Sequence, residues 1–178
     1  YLLWGALASI SLFAQKRNIW GGLILGFIIS IKVYPIFILL YLLYKRAFRP
    51  VIWSLFFIVL LNVISFWIFG LEQAMAYYRH WALEVVPSAH FQDHKNQSIF
   101  GLFLRFFTAE DPGNNIHVNF MSLAAESIRR YTYISIALFA LIPAYLFRRR
   151  LNDYLERTTI LEYAVLFTVI PLITPVAW

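Results

Sequence analysis

The chain has 178 residues, of which 61% are hydrophobic, 19% aromatic and only 13% charged, and its mean hydropathy is +0.68. That balance excludes an ordinary soluble domain, and the lack of cysteine excludes disulfide frameworks, thiolate metal sites and cysteine nucleophiles. In so apolar a chain a formal net charge of +6 points to membrane topology and not to nucleic acid as a partner.

Taken in order, residues 1–14 are apolar and end at Gln15-Lys16-Arg17, the last part of a spanning helix reaching a basic face. The first residue is Tyr1, not Met, and Trp178 falls inside an apolar segment, so the sequence is expected to be a piece of a longer chain. No basic region or small-residue cleavage pattern marks a signal peptide. Ile19 to Tyr44 is apolar and long enough to cross a bilayer, yet it carries Lys32 near its middle with Pro35 three residues on. An ammonium at the bilayer centre costs about 2.5–3.5 kcal/mol on insertion scales, which makes Lys32 a candidate functional residue. Pro35 disfavours helical geometry in Tyr34 and is well suited to starting a helix, so a break is expected at Lys32-Val33-Tyr34-Pro35. Gly22 and Gly26 have the spacing of a close helix–helix contact. Val51 to Phe69 holds no charge, and as a helix it reaches about 28 Å, close to the hydrocarbon thickness. Gly70 closes it.

Leu71 to Val86 spaces Leu71, Ala74, Met75, Tyr78, Ala82 and Val85 as one face of an amphipathic helix lying on the membrane surface, with Tyr77 and Trp81 as interfacial anchors. Ser88 to Gln97 is the most polar stretch and leads into Ser98 to Arg105, a short apolar helix carrying one arginine. Pro112-Gly113 marks a surface loop. Residues 131–147 and 160–178 are again apolar, separated by Arg148-Arg149-Arg150 and a polar link, with Glu162 near the membrane interface.

Assigning each basic turn to the cytoplasmic side puts the whole +6 there and leaves the other side balanced. Both flanks of Ile19 to Tyr44 are then cytoplasmic. The segment therefore folds as a hairpin of two short arms, 19–31 and 33–44, with Lys32 in a cavity open to the exocytoplasmic side. The alternative is one proline-kinked helix from which Lys32 snorkels. The fold class expected is all-α: a polytopic integral membrane protein, one transmembrane domain over 1–178, with spans at 1–14, 19–31/33–44, 51–69, 131–147 and 160–178 and an exocytoplasmic region at 71–130.

Lys32 and Arg105 are two cations in apolar surroundings assigned to one side, a pair suited to a lipid phosphate. Tyr34, Asn96, Gln97 and, less strongly, His94 are candidates to line the same cavity. No metal site is assigned: His90 and His94 are four apart beside Asp93, but lie in an expected loop and lack a zincin glutamate. Asn96-Gln97-Ser98 also matches a glycosylation sequon, a frequent accidental match.

Three blocks of the sequence resemble glycosyltransferase family 87, which belongs to the GT-C class of membrane transferases. They are the glycine-rich helix with Lys-x-Tyr-Pro and a basic turn (Gly21 to Arg49), Asn96-Gln97-Ser98-Ile99-x-Gly101 with Arg105, and Thr174-Pro175-Val176-Ala177-Trp178. Thr174 and Ala177 stand where the family's Ser-Pro-x-Ser-Trp element has serines. The resemblance implies a GT-C-like helical bundle that moves a sugar, typically mannose, from a polyprenyl-phosphate donor to a glycolipid or glycan acceptor outside the bacterial cytoplasmic membrane. It implies no cofactor, a general-base carboxylate ahead of Tyr1, and Trp178 among the cavity-lining residues. A transporter or flippase of lipid-linked sugars, or a non-enzymatic membrane scaffold, is the alternative; the first calls for an internal repeat, which is not evident in the sequence.

Overall fold

The computed structural model describes residues 1–85, 96–108 and 119–174. Among these the chain is helical throughout, with eight α-helices and no strand: α1 Leu2–Ala14, α2 Asn18–Ile31, α3 Ile36–Tyr44, α4 Phe48–Phe69, α5 Leu71–His80, α6 Ile99–Phe107, α7 Ala125–Leu146 and α8 Arg157–Ile173. A π-helical turn, Trp81–Val85, continues α5, where a regular helix to Val86 was expected. The chain forms two compact units, Tyr1–Glu84 with Phe147–Ala164, and Val85–Leu146 with Val165–Trp178.

In the first unit α2 is the central helix. Its glycines let it approach its neighbours closely: a Cβ on Gly22 would lie 2.8 Å from the Trp53 carbonyl carbon, and one on Gly26 would lie 3.0 Å from the Ser54 carbonyl oxygen. Ser54, at the crossing, is fully buried and donates to the Pro50 carbonyl at 2.8 Å, so its hydroxyl is satisfied inside its own helix. The spacing of Gly22 and Gly26 is thus a packing face, as the sequence suggested.

The same contacts give direction. Gly22 meets residues 53 and 54, and Gly26 meets residues 54 to 58, so α2 and α4 run parallel. Gly5 of α1 faces Ile28 and Phe13 faces Gly21, so α1 runs antiparallel to α2. Parallel α2 and α4 require α3 to bring the chain back to the level where α2 began. The break is local and well formed: Lys32 is extended at φ −146° and ψ 122°, and Pro35 at φ −61° caps α3.

Two matching turns close the other end. Lys16 and Arg46 adopt left-handed geometry, at φ 60° and 59°. Around them Arg17 N donates to Leu12 O and Ala47 N to Leu42 O, each at 2.9 Å, which ends α1 and α3 in the same Schellman arrangement. Phe13 packs against Tyr154 at 6.2 Å, and Lys45 donates to the Arg149 carbonyl at 2.7 Å. Burial of Tyr154 beside this contact raises its phenol above the ordinary tyrosine range, so the ring packs uncharged. The turns bearing Lys16, Arg17 and Arg46 and the segment bearing Arg148, Arg149 and Arg150 therefore share one end of this unit.

Among the described residues α4 is the one helix long and apolar enough to cross a membrane. It points large apolar side chains outward, Ile52, Val59 and Trp67 among them. α7 is equally long but begins with Glu126, Arg129 and Arg130 and contains Pro143.

In the second unit α6 packs on α7. Phe106 meets Phe120 at 5.1 Å, while Phe120 N and Leu123 N donate to Phe106 O and Phe107 O. Ile128 and Thr132 of α7 are buried, and the Thr132 hydroxyl donates to Ile128 O at 2.8 Å.

Candidate functional site

Lys32 follows the last residue of α2, and with Val33 and Tyr34 it lines a cavity of about 670 Å³. That volume lies within the range of small-molecule sites, about 300–1,000 Å³. One wall is the end of α2 and the break, from Ile29 to Tyr34. A second is α4, through Ile58, Asn62, Ser65 and Phe69, and the third is Ala74, Tyr77, Tyr78 and Trp81 from α5 and its π turn. Most of the lining is apolar, with a cation and a few hydroxyl and amide groups. The Lys32 Nζ lies 5.2 Å from the centre of the Tyr34 ring, within cation–π range.

The third wall depends on Gly70, which is both the end of α4 and the cap of α5. Its φ of 79° and ψ of 153° belong to a region that only glycine adopts readily. The chain folds back there, so α5 lies against α4. Phe66 packs on Tyr78 at 5.7 Å, Phe69 meets Tyr77 edge-on at 6.4 Å, and the Tyr78 hydroxyl donates to the Asn62 carboxamide oxygen. Ala74 is buried, Leu71 and Met75 are exposed, and Tyr77 and Trp81 turn toward the cavity.

The second candidate cation is built into a different local structure. Ser98 caps α6 by accepting from Gly101 N at 3.1 Å, and the Asn96 carboxamide oxygen accepts from Ser98 N at 3.1 Å. Arg105 returns one helical stretch later to donate to Asn96 O at 2.6 Å. A Cβ on Gly101 would lie 2.9 Å from the Asn96 side chain, which explains the glycine in this motif. Asn96 and Ser98 are fully buried, and Gln97 between them is exposed. A buried asparagine committed to capping is a poor glycosylation acceptor. Lys32 with Tyr34 belongs to the first unit, and Asn96, Gln97 and Arg105 belong to the second. His94 and Trp178 lie outside the described residues, as do His90 and Asp93. Among the described residues no three His, Cys, Asp or Glu side chains are grouped to hold a metal.

Asn62, Ser65, Tyr77, Tyr78 and Trp81 were not singled out as site residues from sequence. Asn62 carried a usable signal: it is the one carboxamide in the uncharged stretch from Val51 to Phe69, where a polar group needs a partner.

The model of glycosyltransferase family 87 matches residues 1–175, nearly the whole chain. The chain belongs to glycosyltransferase family 87. Its chemistry is therefore that of a membrane glycosyltransferase, the transfer of a glycosyl group from a donor to an acceptor. No curated protein and no solved structure matches the chain. Within this family 87 chain, the Lys32 cavity is the candidate substrate site, since it combines an ammonium, hydroxyl and amide groups and aromatic rings along one mostly apolar cleft.

Proposed function

We propose that this chain is part of a polytopic transferase that takes a sugar, mannose by family resemblance, from a polyprenyl-phosphate donor and delivers it to a glycolipid or glycan acceptor on the outer side of a bacterial cytoplasmic membrane. The observation that carries this is the position of Lys32 at a helix break, lining a mostly apolar cavity beside the outward-facing apolar helix α4. An amphiphilic donor suits such a place: its phosphate meets the ammonium, and its chain is received by apolar side chains. The clustering of the basic turns at the opposite end of α2 supports placing that end on the cytoplasmic side.

The transfer needs an acceptor hydroxyl, a base and a leaving phosphate. A carboxylate takes the hydroxyl proton, and the acceptor oxygen attacks the anomeric carbon. The bond from that carbon to the phosphate oxygen breaks, and polyprenyl phosphate departs with the electron pair. Its growing negative charge is stabilised by preorganised donors. We assign that task to Lys32. Among the described residues the cavity lining contains no carboxylate, and the base is assigned to the carboxylate expected ahead of Tyr1.

The test supplies the full-length protein, in membranes, with radiolabelled polyprenyl-phosphate mannose or labelled nucleotide sugar. Transfer from the lipid-linked donor is expected. Transfer that requires the nucleotide sugar and ignores the lipid-linked donor would refute the proposal.

A further inference from the structure

We propose that the α5 wall of the cavity is a subsite for a pyranose ring, with Trp81 and Tyr77 as its stacking face and Asn62 as its hydroxyl-reading amide. It rests on Lys32 as the phosphate ligand and names what is held beside the phosphate.

Tyr77 and Trp81 are four residues apart, so they rise from one side of α5 and its continuation. Both line the cavity, with relative exposures of 59% and 50%. Interfacial anchors need no hydrogen-bonding groups beside them, whereas these rings line the cavity together with Ser30, Asn62 and Ser65. Asn62 donates through Nδ2 to Ile58 O at 2.7 Å and accepts from Tyr78 at Oδ1. A carboxamide has two N–H groups, so one donor is left over. Ser30 and Ser65 donate to Gly26 O and Leu61 O, and their oxygens retain lone pairs. A donor and two acceptors suit sugar hydroxyls, which both donate and accept. The apolar C–H face of a pyranose suits an aromatic ring. An isoprenoid chain in the same place would satisfy none of these polar groups.

The Tyr78–Asn62 hydrogen bond ties the stacking face to the amide, so both parts of the subsite are positioned together. Trp81, on the π turn beyond that tie, is half exposed, so its replacement disturbs packing little.

The test measures binding of decaprenyl phosphate, decaprenyl-phosphate mannose and decaprenyl-phosphate glucose to the full-length protein in detergent. The wild type should bind one sugar-bearing ligand more tightly than the bare phosphate. Trp81→Ala should weaken that ligand about two- to tenfold while leaving decaprenyl phosphate unchanged, and Trp81→Phe should restore most of the difference. Asn62→Leu should also reduce the preference. Lys32→Ala should weaken all three ligands alike. A wild type that prefers neither sugar-bearing ligand, or a Trp81→Ala protein that loses sugar-bearing and bare ligands equally or loses neither, would overturn the subsite. Unchanged binding in Lys32→Ala would instead overturn the phosphate assignment, leaving a sugar-specific loss at Trp81 intact.

Discussion

The Lys45 Nζ lies 2.6 Å from Oε2 of Glu162, joining the end of α3 to the first turns of α8. The same carboxylate oxygen accepts from the Tyr41 hydroxyl at 2.6 Å, and Lys45 also donates to Arg149 O. Relative exposures are 2% for the lysine side chain and 12% for the glutamate, so each charge depends on the other for solvation. Removing one partner from a buried pair typically costs about 3–5 kcal/mol, whereas replacing both by apolar residues is often close to neutral. Glu162→Leu and Lys45→Met should each lower the melting temperature clearly in detergent, and the double variant should recover most of the loss. A double variant no more stable than the singles would count against mutual neutralisation.

Gly22→Ala should destabilise the α2–α4 contact by about 1–3 kcal/mol, because the new methyl group meets backbone atoms of Trp53 and Ser54 that cannot move independently. Gly26→Ala should behave similarly. Thermal unfolding of the purified variants checks this, and wild-type stability in Gly22→Ala would mean that the helices do not cross there.

Gly70 has nothing within 4 Å of where its Cβ would be, so Gly70→Ala tests conformation alone. Holding alanine at φ 79° and ψ 153° costs about 1–3 kcal/mol. The strain is expected to release α5 from α4. Cysteines placed at Phe66 and Tyr78, whose rings lie 5.7 Å apart, should be joined by a short bis-maleimide in the wild-type background and much less efficiently with Gly70→Ala. Equal cross-linking would show that α5 does not depend on this glycine.

Ser98→Ala should remove the α6 cap at a cost of about 1 kcal/mol. Arg105→Lys loses the geometry of the guanidinium at Asn96 O and is not a conservative change. Both changes loosen the turn before α6, so each should lower the melting temperature in detergent. An unchanged melting temperature in Arg105→Lys would show that the guanidinium does not hold that turn.

The helices and the break at Lys32 were legible because apolar composition and proline act locally. So was the close approach at Gly22 and Gly26, since residues four apart share a helix face in any context. The direction of the α5 aromatics was not legible. Their spacing marks Tyr77 and Trp81 as interfacial anchors, and it is the fold-back at Gly70 that sets them along the cavity. The role of Asn96 in the turn, accepting from Ser98 N through its carboxamide oxygen, was not legible, because it depends on the backbone path into α6. The Lys45 pair escaped because Glu162 is far along the chain from its α3 partners, 121 residues from Tyr41, and positive-inside counting treats Lys45 as one more exposed charge.

Lys32 is the residue on which the functional account turns, and steady-state transfer from polyprenyl-phosphate mannose by full-length Lys32→Ala and Lys32→Arg tests it most directly. The account predicts that Lys32→Ala lowers kcat/KM by about a hundredfold or more, the scale of losing one preorganised donor to developing charge. Lys32→Arg should keep part of the activity, since it retains the charge with a different shape. Wild-type transfer by a well-folded Lys32→Ala protein would contradict the account.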